Sequence, residues 1–378
     1  MFIHLIGNYS ADNQESMLRY AQMLFRQLSI RGHKVALTQP PVVWGRLGRS
    51  QSGLRKWLGY VDKFILFPGA LRKIVQSSPS GTVFHVCDHS NAMYGSVLGS
   101  RPRLVTCHDL LAVRGALGDP AAMCRSSKTG VVLQRWILGS LSAFPVVACV
   151  SEATRDDLQR LVKNKIKACP VIPNPLNGNF QPLERADALN ALEGRFPAIV
   201  DRPFLLHVGS SQPRKNRAYL ARMLAIAPRR EARIVFAGEA ATDEERRIFR
   251  ETGLEDRLIE YPCPSHLELL ALYSLARALV FPSWSEGFGW PVIEAQACGC
   301  PVICSKLSSL PEVAGGGALL IDPGSPRSGA DALQELSNPT ARTNLVRKGF
   351  ENIQRFETAG VLAAYESAYE MANQGACA

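Results

Sequence analysis

The 378-residue chain has no hydrophobic run long enough to cross a bilayer. Its apolar stretches, such as 144–150, fall far short of the roughly 18 residues that a spanning helix needs. None of its ten cysteines forms a Cys-x-x-Cys pair, which removes the usual zinc and thiol-redox spacings. No Asp-x-Asp pair occurs, so no metal site is expected. Zinc-finger, helix-turn-helix and RNA-binding signatures are missing, and nucleic acid is not expected as a partner. No tract is polar enough to stay disordered. Residues 1–7 lack a basic leader and a cleavage site; they read as a first β-strand, and the expected location is the cytoplasm.

What is present suits a folded two-domain protein. Hydrophobic residues make up 46% and charged residues 20%. The length exceeds one ordinary core, so two domains of roughly 150–200 residues are expected. Lys and Arg number 43 against 33 acids, a formal charge of +10, which favours anionic partners. Cys87, Cys107, Cys149 and Cys304 sit in apolar runs. Those four, and the nearby Cys298 and Cys300, read as reduced core residues and not as metal ligands.

The order of elements follows from hydrophobic period. Short unbroken apolar runs at 2–6, 34–38, 83–87, 104–107 and 146–150 read as strands buried on both faces. Met17, Leu18, Ala21, Leu24 and Leu28 recur at helical spacing, and Gly32 ends that helix. The pattern restarts at 204–208, 234–237, 258–261, 278–281, 302–304 and 319–321, with helices at 267–278 and 291–298 among them. Such alternation predicts an α/β chain of two Rossmann-like, doubly wound parallel-sheet domains. Residues 173–190, rich in Pro and Gly, read as the linker. Ligands of these sheets bind beyond the carboxyl ends of the strands, and a cleft between two facing domains is the expected site.

One stretch carries chemistry. Glu286-Gly-Phe-Gly-Trp-Pro-Val-Ile-Glu294 follows a strand and opens a helix. Gly287 and Gly289 let backbone approach a ligand closely. Pro291 suits the first turn of a helix, whose amides and dipole favour an anion such as a diphosphate. Glu286 and Glu294 are acceptors for sugar hydroxyls. Upstream, Gly209 ends a strand and Arg214-Lys215-Asn216 follows; two cations there suit a diphosphate.

Residues 266–323 resemble the donor-binding region of the retaining GT-B glycosyltransferases of family 4. The run from Leu272 through Glu294 and Ala295, and Ser308-Ser-Leu-Pro-Glu-Val313, match that family's pattern almost continuously. The resemblance implies that Glu286 contacts the transferred sugar, that the backbone of Phe288, Gly289 and Trp290 approaches sugar and diphosphate, and that Glu294 holds the ribose. It places a phosphate-binding lysine at Lys215. The family often has arginine directly after the glycine, where this chain has Ser210; Arg214 is the substitute. Thr106-Cys-His108-Asp109 resembles the family's cleft histidine, near the donor sugar. The family's paired glycines after the first strand are reduced here to Gly7, so Gly7 and Asp109 are acceptor-side candidates only.

The implied organisation is an acceptor-binding domain at 1–180, a donor-binding domain at 181–355, and a last segment, 356–378, returning to the first domain. The implied reaction moves a sugar from a nucleoside-diphosphate sugar to an acceptor hydroxyl with retained configuration, in polysaccharide or glycolipid assembly. His108, Glu286, Arg214 and Lys215 are its catalytic candidates, with no metal and no cofactor beyond the donor. Two other readings stand beside it: a nucleotide-sugar epimerase or hydrolase on the same fold, and a non-catalytic sugar-nucleotide-binding subunit. Residues 42–75 interleave Arg46, Arg49, Arg55, Lys56, Lys63, Arg72 and Lys73 with aromatic and aliphatic side chains, and hold one acid, Asp62. That stretch reads either as a surface for anionic membrane, on the cytoplasmic face, or as a helix with a solvated basic side.

Overall fold

A computed structural model describes the chain except for Asn13 and residues 48–53, 163–165, 194, 196–201, 228–231 and 377–378. Side chains at 46–47, 54–57 and 376 are likewise outside the described set, so Arg46, Arg49, Arg55 and Lys56 of the basic stretch lie outside it. Two compact units emerge. One comprises Met1–Leu117, Arg125–Pro173 and Thr358–Ala378; the other comprises Gly118–Cys124 and Asn174–Glu357.

The first unit is built on β1 (Phe2–Ile6), β2 (Lys34–Thr38), β3 (Val83–Val86), β4 (Arg103–Cys107) and β5 (Val146–Cys149). They pair in parallel in the order β2-β1-β3-β4-β5. The interior residues of β3, β4 and β5 are buried, as the unbroken apolar runs require. Helices Phe67–Ser77 and Lys128–Leu141 pack Phe67, Leu71, Ile137 and Leu141 into the core. The order reverses direction between β1 and β3. That switch point opens a crevice at the carboxyl ends of the strands, where the loops after β1, β3 and β4 gather.

The last helix, Thr358–Ala376, belongs to this unit. It is bound through a buried polar network. Tyr365 and Tyr20 share a short hydroxyl contact, Thr106 Oγ1 lies 3.1 Å from the Tyr365 hydroxyl, and His85 bridges Thr106 at 2.8 Å and Tyr369 at 3.0 Å. At the surface Arg31 and His33 both grip Glu366.

The second unit holds β6 (Phe204–Gly209), β7 (Arg233–Gly238), β8 (Leu258–Pro262), β9 (Ala278–Phe281), β10 (Val302–Ser305) and β11 (Leu319–Ile321). All pair in parallel, in the order β11-β10-β9-β6-β7-β8. Here the switch point lies between β6 and β9. The helix Arg185–Glu193 occupies the end of the stretch read as a linker. The helix expected at 267–278 runs from His266 to Leu275, because Ala276 and Arg277 are needed to enter β9. Among the described residues no helix is long and apolar enough to cross a membrane.

Candidate active site

In the second unit the loops after β6 and β9 converge. β6 ends at Gly209 with φ +140°, and β7 ends at Gly238 with φ +126°. A Cβ at Gly238 would sit 2.6 Å from the Gly209 carbonyl, so the two loops leave the sheet in contact. The short turn Pro213–Lys215 then brings both cations back over the strand ends. Asn216 holds that turn in the left-handed region, φ +54°, and its amide donates to the carbonyls of Pro282 and Pro323.

Glu286 is the centre of the cluster. Arg214 Nη1 donates to its Oε2 at 2.7 Å, and Lys215 Nζ to its Oε1 at 2.7 Å. The carboxylate is 7% exposed. Burial alone would raise its pKa, yet Lys215 and Arg214 outweigh burial and hold it at about 2. The Lys215 ammonium also lies 4.9 Å from the Phe281 ring centroid. The loop is fixed from below by two hydroxyls that sequence reasoning did not single out. Ser308 Oγ accepts from the Glu286 amide at 3.0 Å, and Ser309 Oγ donates to the carbonyls of Glu286 and Phe288. The Ser-Ser pair ahead of the helix Leu310–Ala314 was the available signal.

Gly289 has φ +108° and opens the helix Trp290–Ala297 without a side-chain cap. A β-carbon would strain this backbone; in the first turn Pro291 has no N–H and the Val292 amide donates to the Gly289 carbonyl at 3.0 Å. Phe288 is buried, and the Trp290 indole donates to the Pro175 carbonyl at 2.9 Å. Glu294 is 8% exposed and accepts from the Tyr273 hydroxyl at 2.8 Å. Gly209, Arg214, Lys215, Glu286, Phe288, Gly289, Trp290 and Glu294 therefore all belong to one unit, on the loops that leave its switch point or on the helix that follows β9.

The remaining candidates, Gly7, His108 and Asp109, lie at the carboxyl edge of the first unit's sheet. His108 Nε2 donates to the Cys87 carbonyl at 2.9 Å, which assigns the proton to Nε2. Its Nδ1 is buried and has no partner among the described residues. Burial lowers the His108 pKa, and His89 pulls the same way against Asp88 and Asp109, so the ring is a neutral acceptor. The Tyr20 ring meets it edge-on at 4.7 Å. Beside it Asp88 and His89 form a buried pair, Nδ1 to Oδ1 3.2 Å. Burial opposes ionisation of both, yet their mutual attraction holds Asp88 well below the carboxylate range and keeps His89 raised. Asn8 donates to Asp88 and to Gln14, both at 2.6 Å. Asp109 caps the amide of Leu111, and Gly7 packs on Gln39.

Fold and cluster together define a class: two parallel Rossmann-like sheets of the GT-B glycosyltransferase architecture. The comparisons agree with that class. Residues 193–351 match the family described as glycosyl transferases group 1. It is 28% identical over 239 residues to the O-antigen chain mannosyltransferase B of Escherichia coli, covering 61% of this chain and 62% of that protein. It is 32% identical over 203 residues to the D-inositol 3-phosphate glycosyltransferase of Mycolicibacterium smegmatis, covering 51% of this chain and 45% of that one. The match thus spans less than two thirds of the length of these relatives. Sucrose-phosphate synthase from Thermosynechococcus elongatus has a similar fold, with TM-score 0.74, 24% identity and coverage of 97% and 98%. So does Anabaena Alr3699/HepE in complex with UDP and glucose, at TM-score 0.69, 16% identity and 98% coverage of each chain.

Proposed function

We propose that this protein transfers a sugar from a nucleoside-diphosphate sugar to an acceptor hydroxyl with retained anomeric configuration, as the family 4 enzymes do. The observation that carries the reading is the buried Glu286 clamped by Arg214 and Lys215 at a switch point, next to an uncapped helix N-terminus. Arg214 and Lys215 are the two cations that meet at this switch point. They serve a departing diphosphate as well, while Glu286 and Glu294 accept from sugar and ribose hydroxyls. The His108 Nδ1 lone pair accepts from a hydroxyl of the transferred sugar. UDP in the Anabaena structure supports a nucleoside diphosphate as donor. Likeness to an O-antigen chain mannosyltransferase supports polysaccharide or glycolipid assembly. Replacing Glu294 and Lys215 together by Ala is expected to abolish nucleotide-sugar binding in calorimetric titration. Unchanged affinity in the folded double variant would refute the assignment.

The same reading includes a membrane-facing surface on the first unit. Val132 is 69% exposed and Trp136 48%, four residues apart on one helix face. Ile65 is 67% exposed on the neighbouring turn, and the Phe64 and Trp136 rings meet at 5.3 Å. Arg72, Lys73, Lys128 and Arg135 are exposed on the helices Phe67–Ser77 and Lys128–Leu141, neither of which carries an acid. Apolar anchors together with exposed cations suit an anionic bilayer. Lys63, counted in the basic stretch, is not part of this surface: it turns inward to Asp12 at 2.8 Å and to the Tyr60 ring. Trp136→Ala with Val132→Ser is expected to reduce sedimentation with anionic vesicles. Absence of wild-type sedimentation at low salt would remove the surface from the proposal.

A further inference from the structure

At the opposite edge of the first unit's sheet lies a pocket of about 270 Å³, lined by Arg101, Arg103 and Lys167 together with Ser100 and Ser142. Arg103 opens β4, and His108 follows the end of that strand. Five strand residues separate them by roughly 16 Å, so the pocket is distinct from the candidate active site.

The three cations are unusual in what holds them. Arg101 Nη2 donates to the carbonyls of Ser78, at 2.9 Å, and Pro79. Arg103 donates through Nε to the Ala143 carbonyl at 2.7 Å and through Nη1 to the carbonyls of Gly99 and Arg101. Lys167 Nζ reaches only the Gly375 carbonyl, at 3.5 Å. Every acceptor is a backbone carbonyl, and none of the three cations has an ion pair among the described residues. Carbonyl dipoles orient a guanidinium but carry no net charge, and the Phe84 ring, 5.6 Å from the Arg101 guanidinium, carries none either, so among the described residues these three positive charges meet no counter-charge. Arg101 Nη1 and Arg103 Nη2 make no hydrogen bond among the described residues, and Arg101 Nε is buried without a partner. Burial pulls the Arg103 pKa down, the mark of a charge short of a counter-ion.

We infer that this pocket binds a phosphate-class oxyanion, at a site separate from the donor's. Two guanidinium forks and an ammonium line it with the Ser100 side chain, while the Ser142 hydroxyl donates to the Gly139 carbonyl at 2.7 Å. That arrangement fits the several acceptors of a tetrahedral phosphate better than the two of a planar carboxylate. A free phosphate and a phospholipid headgroup share this chemistry.

The test uses the full-length protein at low salt, because screening weakens such contacts. Inorganic phosphate is titrated calorimetrically into wild type, Lys167→Ala and Lys215→Ala. Lys167→Ala removes one weak described contact and leaves the sheet intact, while Lys215→Ala strips the donor site of a cation. The expected result is a class of phosphate site whose affinity falls about tenfold in Lys167→Ala and that Lys215→Ala, altered at the donor site, retains. In parallel, phosphatidylcholine vesicles with and without phosphatidic acid are sedimented with wild type and Lys167→Ala. Lys167-dependent sedimentation that needs phosphatidic acid, without affinity for free phosphate, assigns the occupant to a headgroup. The inference is overturned if phosphate affinity falls in Lys215→Ala and not in Lys167→Ala, or if neither probe binds in a Lys167-dependent way.

Discussion

Glu286 is a carboxylate kept charged where burial would neutralise it. Its two cationic partners do this at a common distance of 2.7 Å, and each partner depends on it in return. Removing one member of a buried ion pair leaves the others uncompensated, at about 3–5 kcal/mol. Glu286→Gln keeps the shape and deletes the charge. The expected outcome is a lower melting temperature, transfer activity reduced by roughly 100-fold, and nucleoside-diphosphate affinity kept or strengthened. The last effect follows because Arg214 and Lys215 lose their competitor for the diphosphate. A folded Gln variant that no longer binds the nucleotide in titration would contradict this division of labour. Acid should act on wild type as the substitution does. The pKa is depressed from 4.5 to about 2, so the stabilisation is complete above pH 4.5 and is lost as pH falls towards 2.

Elements differ in how openly the sequence announces them. The strands Ala278–Phe281 and Leu319–Ile321 have the bounds that their apolar runs predict; the first is buried on both faces, while the second, at the sheet edge, leaves Leu320 exposed. The helix expected from Pro291 begins one residue earlier, at Trp290, since the left-handed Gly289 is its true boundary. The cluster of Glu286 with Arg214 and Lys215 was legible as a phosphate and diol constellation, but the clamp between them was not. Its partners stand 71 and 72 residues apart, and local pattern says nothing of such pairs. The same holds for Tyr20 and Tyr365, 345 residues apart, whose rings occupy apolar positions of their helices while their hydroxyls meet in the core. Asp62 was hidden for another reason. In a basic, aromatic stretch an acid reads as solvated, yet it is buried. It accepts the Tyr9 hydroxyl at 2.6 Å and the amides of Val43, Trp44 and Gly45 at 3.0 Å, holding a loop that has no ladder of its own.

On the scale of the whole molecule, each unit carries a fully buried histidine that folding forces strongly towards the neutral form. His85 lies in the first and His207 in the second. Burial is the main cause, lowering both to about 3, and for His207 the Val280 carbonyl opposes it. Their model-peptide value is 6.5, so below that pH the unfolded chain binds protons that the folded chain refuses. Stability therefore falls as pH drops from 6.5 towards 3, by about 2 kcal/mol per histidine at pH 5. This limb is distinct from that of Glu286, which begins only below pH 4.5. His85→Gln retains a donor and an acceptor for Thr106 and Tyr369 without a group that titrates in this range. Denaturant unfolding at stepped pH should show the slope of stability between pH 6 and pH 5 reduced by up to one proton in His85→Gln, and by up to two when His207→Gln is added. The slope is the telling quantity, because either substitution also perturbs packing at every pH. If wild type and both variants share one slope, the buried imidazoles are not what makes this fold acid-sensitive.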